Sequence, residues 1–318
     1  MLYIRGHKII KGYVGNTPIS HVGFGKSGLI KIKSENGGSD YPNNLIAKYT
    51  ANTSGVLPTF NSGYQYTVNE TELNGIYTVE LSSDTDFSHC SFYNKSELLT
   101  LEYLKVTSNV TGMDYMFRNC SKLTQLDVSN WDTSKVTTMM SMFRECTKLT
   151  QLDVSNWDIS KDTTMDCMFY ECYALKEIKG LNNWDISSVE YSLYSMFYYA
   201  KSLEGLDLSS WDVSNITDMR WLFSDCSALK TLNISNWSFN NEVITTEMLL
   251  PYSESEMTIN KIIMNDSDYN SVNKIISELP TRASDSMGTL NINGVDDISL
   301  VDESALNSKN WALSKVGH

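Results

Sequence analysis

The stretch CSKLTQLDVSNWDTSKVTTMMSMF, residues 120–143, recurs with few changes along the middle of this 318-residue chain. Its tryptophan marks the repeat, because successive tryptophans lie 26, 27, 27 and 26 residues apart. These are Trp131, Trp157, Trp184, Trp211 and Trp237. A regular period of about 20 to 50 residues is typical of supersecondary units that each pack against the previous copy. The repeat therefore predicts a solenoid.

Other positions of the repeat recur at the same interval. The phenylalanine column consists of Phe117, Phe143, Phe169, Phe197 and Phe223, and the leucine column of Leu123, Leu149, Leu175, Leu203 and Leu229. One interval, from Phe169 to Phe197, is longer, at 28 residues. Single-residue insertions near KGLNNW and SVEYSLY account for the difference. We expect both insertions to bulge into loops without interrupting the stack.

The hydrophobic period changes within one repeat. Met113, Met116, Phe117, Cys120 and Leu123 follow the spacing i, i+3, i+4, i+7 and i+10, which predicts a short amphipathic helix. Residues 126–129 alternate with a period of two and predict a short strand that pairs with its equivalent one coil away. The following SNWDTS favours a turn. We therefore expect an α/β solenoid whose coils contain strand, turn and short helix, with a parallel sheet on one face.

The repeat resembles that of a known family. The stretch quoted above, with its period of about 26 residues, is similar to the repeat of the BspA-like bacterial surface proteins, a branch of the leucine-rich-repeat class. In the pattern L-x-x-L-x-L-x-x-N, Leu123, Leu126 and Val128 take the hydrophobic places, and Trp131 stands where the asparagine is expected. The resemblance spans residues 110–237. It implies a right-handed, leucine-rich-repeat-type solenoid displayed on a surface.

Three regions are expected along the chain. Residues 1–85 contain short runs separated by Gly and Asn-Thr-Pro signals, which predict a small N-terminal β region for attachment or capping. Residues 86–250 form the solenoid, which begins with a degenerate coil around Leu101 and Leu104. Residues 251–318 form a repeat-like C-terminal cap, since an end coil exposes apolar surface and unpaired strand edges. The opening segment also resembles amino-terminal stretches of phage tail-associated proteins that carry such repeats.

Charge and hydropathy exclude several classes of partner. The net charge is −13 and the Lys and Arg residues form no run, so we expect no nucleic-acid partner. No stretch approaches about 18 uninterrupted apolar residues, so we expect no membrane insertion. The opening MLYIRGHKIIKGYVG mixes charge and glycine. It therefore contains no recognisable signal peptide if Met1 is the native start.

The chain offers little for catalysis. Its four histidines, His7, His21, His89 and His318, all lie outside the regular repeats, so we expect no histidine-based triad or metal site on the solenoid. The stretch GFGKSG resembles a phosphate-binding loop, but Ser20 stands where that pattern requires glycine. A hairpin turn is the favoured interpretation. We expect no enzymatic activity, no cofactor and no metal.

Cysteine and aspartate columns leave alternatives open. The cysteine column is Cys120, Cys146, Cys172 and Cys226, with Ala200 in the remaining place. A buried thiol column is favoured over a disulfide ladder, because alanine replaces the thiol as a small apolar residue. One aspartate column, on the strands, is Asp127, Asp153 and Asp207, continued by Asn233, and another is Asp132, Asp158, Asp185 and Asp212. For the second column, turn capping and calcium binding are both open, with capping favoured.

The strand face supplies the candidate binding residues. In stacked-coil proteins this face is extended and regular, and the polar residues between the core positions set its specificity. Those residues are Gln125, Asp127, Ser129, Gln151, Asp153, Ser155, Glu177, Lys179, Asp207, Ser209, Thr231, Asn233 and Ser235. We expect a non-enzymatic recognition or adhesion module whose partner is a protein or glycan on a bacterial or host surface.

Two settings fit this function. The first is an adhesin at the cell surface or outside the cell. The second is a phage virion protein, associated with the tail or a fibre, whose solenoid mainly mediates assembly. An enzyme is a distant third. Homo-oligomerisation through the N-terminal β region is compatible with either setting.

Overall fold

The computed structural model is a predominantly β solenoid of about seven turns. It describes residues 2–4, 7–9, 13–14, 17–18, 44–162, 164–239, 242–249, 259, 261–265, 267, 269–282, 287–293 and 298–314. The solenoid predicted from the tryptophan period is confirmed. The predicted α/β class is wrong in one respect: the segment of each repeat that was predicted to be a short helix is not helical.

An antiparallel sheet precedes the repeats. The strands of this part are β1 (Leu2–Ile4), β2 (His7–Ile9), β3 (Tyr13–Val14), β4 (Thr17–Pro18), β5 (Leu45–Ala51), β6 (Thr59–Phe60), β7 (Thr67–Leu73), β8 (Ile76–Ser82), β9 (Cys90–Ser91) and β10 (Leu98–Leu104). Strands β7, β8, β5 and β10 are hydrogen-bonded in that order, and each pair is antiparallel. Strand β10 then pairs in parallel with β11 (Gln125–Leu126) of the next coil. One sheet therefore continues from this part into the solenoid.

The solenoid strands are short and pair in parallel. They are β12 (Gln151–Asp153), β13 (Glu177–Lys179), β14 (Tyr191–Ser192), β15 (Gly205–Asp207), β16 (Ile216–Asp218), β17 (Thr231–Asn233), β18 (Lys261–Ile263), β19 (Gly288–Asn291) and β20 (Trp311–Ser314). Strands β15, β17, β18, β19 and β20 form one sheet, while β12 pairs with β13 and β14 with β16. Equivalent residues of neighbouring coils pair in parallel, such as Leu206 with Leu232, so that identical side chains stack on each other.

Within the residues that the structure describes, the α-helices lie towards the C-terminus. They are α1 (Tyr269–Glu278) and α2 (Glu303–Ser308), and 3-10 turns occupy Leu181–Asn183 and Ile298–Leu300. Asp302 caps α2 by accepting a hydrogen bond from the amide of Ala305. Within the described ranges, no helix is long and apolar enough to cross a membrane.

Successive turns take the place of the predicted short helix. The amide of Met116 donates to the carbonyl of Met113, three residues earlier, and Tyr115 between them has a φ of 58°. A left-handed residue of this kind interrupts an α-helix. The same left-handed conformation recurs at the equivalent residues Ser141, Cys167, Ser195, Trp221 and Glu247. The turn is therefore a regular part of the coil.

Hydrogen bonds between coils explain why the helix does not form. The amide of Tyr115 donates to the carbonyl of Met140 over 3.0 Å, and that of Phe117 to Met142 over 2.9 Å. In a helix these amides would bond within their own coil. A helix of two turns is marginal by itself, since nucleation is costly, so the bonds to the neighbouring coil prevail. The spacing thus predicted which side chains are buried, but not their backbone conformation.

Two parallel stacks of aromatic rings run through the core. Successive rings from Trp131 to Trp211 have centroids 5.7, 6.1 and 6.3 Å apart, with planes within 10° of parallel. The second stack runs from Phe92 to Phe223, with spacings of 5.4 to 5.8 Å. Phe92 lies one coil before the regular repeats and was not predicted to belong to this column. The aromatic columns therefore form a continuous core instead of a set of separate clusters.

The aromatic stacks continue across the two insertions, while the strand ladder is interrupted near the first of them and also between β11 and β12, where the repeat has its regular length. Phe169 and Phe197 remain 5.6 Å apart across the longer coil, as expected. However, β13 and β15 are not paired with each other. At the first insertion Gly180 has a φ of 92°, and a Cβ there would lie 2.4 Å from the Cα of Ser155. Only glycine suits this position, because both its conformation and the close approach of the previous coil exclude a side chain.

Candidate binding face

Most of the thirteen predicted binding residues are exposed on one face. The exposed side chains are Gln125, Asp127, Ser129, Gln151, Asp153, Ser155, Glu177, Lys179 and Asp207. Ser209, Thr231 and Asn233 are half-buried, and Ser235 is buried. The strands alternate, so that Leu152 points inwards between exposed Gln151 and Asp153. The strand period therefore brings these side chains into rows across the solenoid.

Ser235 differs because the following coil covers it. Its Oγ donates to Oδ1 of Asn233 over 2.8 Å and accepts from the amide of Asn265 over 3.2 Å. The side chain is 8% exposed. Ser235 thus holds two coils together and presents no hydroxyl to solvent. The repeat pattern does not extend to Asn265, so no repeat position predicted this contact.

The aspartates of the strand face order their own turns. Oδ1 of Asp127 accepts hydrogen bonds from the amide and hydroxyl of Ser129, at 3.0 and 2.7 Å. Asp207 makes the same pair of bonds with Ser209, at 3.2 and 2.7 Å. Bonds from Ser155 lower the pKa of Asp153 below its usual range, because they stabilise the carboxylate. The face is therefore acidic and locally pre-ordered.

The aspartates that follow the tryptophans cap turns in the same way. Oδ1 of Asp132 accepts from the amide and hydroxyl of Ser134, at 3.2 and 2.6 Å, and these bonds lower its pKa. The column continues with equivalent bonds at Asp158, Asp185 and Asp212. These contacts match the predicted turn capping. Among the described residues, no group of three or more His, Cys, Asp or Glu could hold a metal ion.

Ion pairs and amide contacts connect neighbouring coils along the strand face. Lys122 lies 2.8 Å from Glu97, and Lys230 lies 2.8 Å from Glu204 in the previous coil. Nδ2 of Asn233 donates to Oδ1 of Asp207 over 2.9 Å. Exposed ion pairs of this kind contribute little to stability, because solvent screens the two charges. Their main effect is to set the positions of charges on the face.

Two open clefts mark the strand face where the ladder is interrupted. One, of about 250 Å³, lies between β13 and β15 and is lined by Lys179, Gly180, Asn182 and Asp207 among others. The second, of about 390 Å³, lies near the first coil and includes Glu102, Gln125, Asp127 and Gln151. Both combine charged and amide side chains with strand edges. They are shallow polar recesses on the predicted binding face.

Sequence reasoning missed a second surface, rich in aromatic residues. We call it the turn face: the solvent side of the turn segments, which runs through Tyr93, Tyr115, Arg144, Tyr170, Tyr198, Trp221 and Glu247 in successive coils. The rings of Tyr170 and Tyr198 are 4.9 Å apart, and the Arg144 guanidinium lies 4.1 Å from the Tyr170 ring centroid. The repeat register could have indicated this surface, because it places Arg144, Tyr170 and Tyr198 in one column.

The predicted thiol column is buried and unbridged. All six cysteines are free and buried. Each thiol of the column donates to a phenylalanine carbonyl of the previous coil, as Cys146 does to Phe117 over 3.1 Å. Burial raises the pKa of Cys120 and of Cys226 to about 12. These thiols act as small core residues with one hydrogen bond each, and the disulfide ladder is not formed.

We expect the native thiols to resist modification. At pH 8 a thiol reagent such as DTNB should react with all six cysteines after the protein is unfolded in urea. In the folded protein it should react with fewer than one cysteine per chain, because the thiolate is the reactive form and burial disfavours it. Cys167, at 9% exposure, should account for any slow native reaction. Cys167→Ser is the matched control, since Ser141 and Ser195 occupy the same column. Fast native reaction of several thiols would contradict the buried column.

The same raised pKa values give stability a pH dependence. The folded state holds these thiol protons more tightly than the unfolded state, in which the pKa is about 8.5. Their contribution to stability is therefore complete below about pH 8.5 and is lost as the pH rises towards the folded value of about 12.

Stacked coils with a continuous aromatic core define the chain as a solenoid repeat protein. The family described as "Mycoplasma protein of unknown function, DUF285" matches residues 85–190 and 153–265. These matches together cover more than half of the sequence, and the chain belongs to this family. No curated protein and no solved structure matches it.

Proposed function

We propose that the protein is a non-enzymatic recognition module whose strand face binds a protein or glycan on another surface. The observation that carries this proposal is the set of exposed polar side chains, held in rows by the strands from Gln125 to Asp207. A regular, extended surface of this kind suits recognition of an extended partner. The acidic composition, with a net charge of −13, argues against nucleic acid.

Pre-ordering of the acidic side chains supports the proposal. Asp127, Asp153 and Asp207 are each hydrogen-bonded to a serine two residues later. Side chains that are already held lose less conformational entropy when a partner binds. The clefts beside Asp127 and Asp207 add recesses in which a partner side chain or sugar hydroxyl would be enclosed. These features suit binding, and none of them requires catalysis.

The proposal includes a BspA-like, leucine-rich-repeat-type architecture for residues 86–250. The sheet that joins β5 and β10 to β11 fits an N-terminal attachment or capping region. Strands β18 to β20 extend the solenoid sheet beyond the last tryptophan repeat, which fits a C-terminal cap. Display at a cell surface follows from the resemblance to the BspA-like surface proteins, and display on a virion from the likeness of the opening segment to phage tail-associated proteins.

An assembly role in a phage virion is the second candidate. The observation that favours it is the N-terminal antiparallel sheet, whose outer strand β7 is polar and largely exposed. Sheet edges are common sites of strand addition by another chain. In this role the solenoid would serve as a spacer between virion proteins. Identification of the chain in purified virions would favour this candidate over a cell-surface adhesin.

Charge reversal on the strand face tests the recognition function. The triple variant Asp127→Lys, Asp153→Lys, Asp207→Lys should lower binding to intact bacterial or host cells, or to a glycan array, by at least about tenfold. The matched control is Asp132→Lys, Asp158→Lys, Asp212→Lys, which removes the same kind of Asx bond and adds the same charge away from this face. Equal binding by both triple variants would place the binding site elsewhere. Absence of binding by the unmodified protein would refute the function.

A further inference from the structure

The turn face carries an unusual concentration of aromatic and cationic side chains. Tyr93 and Tyr115 are 45% and 38% exposed. The half-buried members are Tyr170, Tyr173, Tyr194, Tyr198, Tyr199 and Trp221. Lone exposed aromatics need no explanation, but a continuous group on one face of a soluble protein indicates an interaction surface. Tyrosine, tryptophan and arginine are also the residues most enriched among those that dominate binding energy.

The arrangement of the rings favours a protein partner over a sugar. Tyr170 has Arg144 on one side, at 4.1 Å, and Tyr198 on the other, at 4.9 Å. Trp221 contacts Tyr194 edge-on at 5.3 Å and lies 6.3 Å from Tyr198. Ring faces, on which a sugar would stack, are therefore covered by neighbours. What remains exposed are ring edges and hydroxyls, which provide rigid, amphipathic contacts of the kind found in protein-binding surfaces.

Charges are distributed unequally along the turn face. At one end Arg118 and Arg144 share a single carboxylate, Glu145, at 4.0 and 2.9 Å. At the other end Glu247 accepts a hydrogen bond from Nε1 of Trp221. In the part of the chain that the structure describes, Glu247 forms no ion pair, while Arg220 beside it is neutralised by Asp218 at 2.5 Å. The face therefore carries a partly neutralised arginine, Arg118, towards one end and a carboxylate without an ion pair, Glu247, at the other, with Lys201 between them over the Tyr199 ring at 4.6 Å.

We propose that the turn face is a self-association surface, on which a second copy of the chain packs in antiparallel orientation. A two-fold axis between the coils of Tyr170 and Tyr198 sets Arg118 of each copy opposite Glu247 of the other, and sets aromatic edges against aromatic edges. Such self-complementarity is what an isologous interface requires. From Tyr93 to Glu247 the face spans six coil spacings, roughly 30 Å at about 5 Å each. This is the linear dimension of an interface of about 800 Å² per partner.

The oligomeric state tests this proposal. We expect the full chain to form a reversible dimer at micromolar concentration in sedimentation velocity and in size exclusion with light scattering. The variant Tyr115→Asn should raise the dimer dissociation constant at least about tenfold. Tyr115 is exposed and has a positive φ of 58°. Asparagine adopts that conformation readily, so the thermal transition of the monomer should be unchanged.

A charge exchange tests the antiparallel orientation. Arg118→Glu alone should weaken the dimer, most clearly at low salt, and adding Glu247→Lys to the same chain should restore it. Asp153→Asn on the strand face is the control and should leave the dimer intact. A monomeric wild type overturns the proposal, as does a dimer insensitive to the tyrosine variant. Failure of the second charge change to restore association overturns the antiparallel orientation. Because no variant of the turn face changes the strand face, this result is independent of the proposed recognition function.

Discussion

Met116→Asp is expected to unfold the coil in which it lies and to lower the free energy of unfolding by at least about 4 kcal/mol. Met116 is fully buried, 0% exposed, between the stacked turns. The change removes a long apolar side chain and places a carboxylate where water does not reach. An unpaired buried carboxylate costs several kcal/mol or takes up a proton instead. Urea and thermal unfolding, followed by tryptophan fluorescence, would measure the loss.

Met140→Asp is the matched control for that experiment. Met140 occupies the turn face of the next coil, is half-buried, and has its Sδ 3.2 Å from the Tyr115 hydroxyl. A carboxylate there remains in contact with solvent, so we expect a change below about 1 kcal/mol. If Met116→Asp and Met140→Asp had similar transitions, Met116 would not be part of the core.

Phe143→Ala is expected to lower the free energy of unfolding by about 3 to 5 kcal/mol. The ring is fully buried and lies 5.8 Å from Phe117, 5.7 Å from Phe169 and 6.3 Å from Trp157. Its loss leaves a cavity that the neighbouring rings fill only in part, because each is held by its own coil. In a stacked-coil protein, stability depends on contacts between neighbours, so a weak central coil also reduces cooperativity. Unfolding should therefore broaden or separate into two transitions.

Phe143→Leu is the control, because it keeps most of the volume and removes only the aromatic stacking. We expect a cost of about 1 kcal/mol and a single transition. The two substitutions thus separate the effect of the cavity from that of ring stacking. A cost of about 1 kcal/mol for Phe143→Ala would show that the phenylalanine column does not connect the coils.

The exposure of the candidate binding residues was predicted in part. Period-two alternation correctly assigned exposure to Gln151 and Asp153, because that assignment depends only on the direction of alternate side chains along a strand. The same alternation wrongly assigned exposure to Ser235, because the coil that contains Asn265 covers this side chain. The sequence analysis did not predict the turn face. Its contacts join residues from different repeat positions in neighbouring coils, such as Tyr194 and Trp221, and a search along single repeat positions does not find them.

The sequence by itself determined the repeat, its period, and which columns are buried, because stacking forces the same position of every coil into the same environment. The Phe, Leu, Trp and Cys columns that recur in the sequence are all buried. The tertiary structure alone decided the backbone of the turn. Both a helix and a row of turns bury Met113, Met116 and Phe117, and the choice between them depends on hydrogen bonds to the neighbouring coil. Those bonds exist only once the coils are stacked, so no pattern within one repeat contains them.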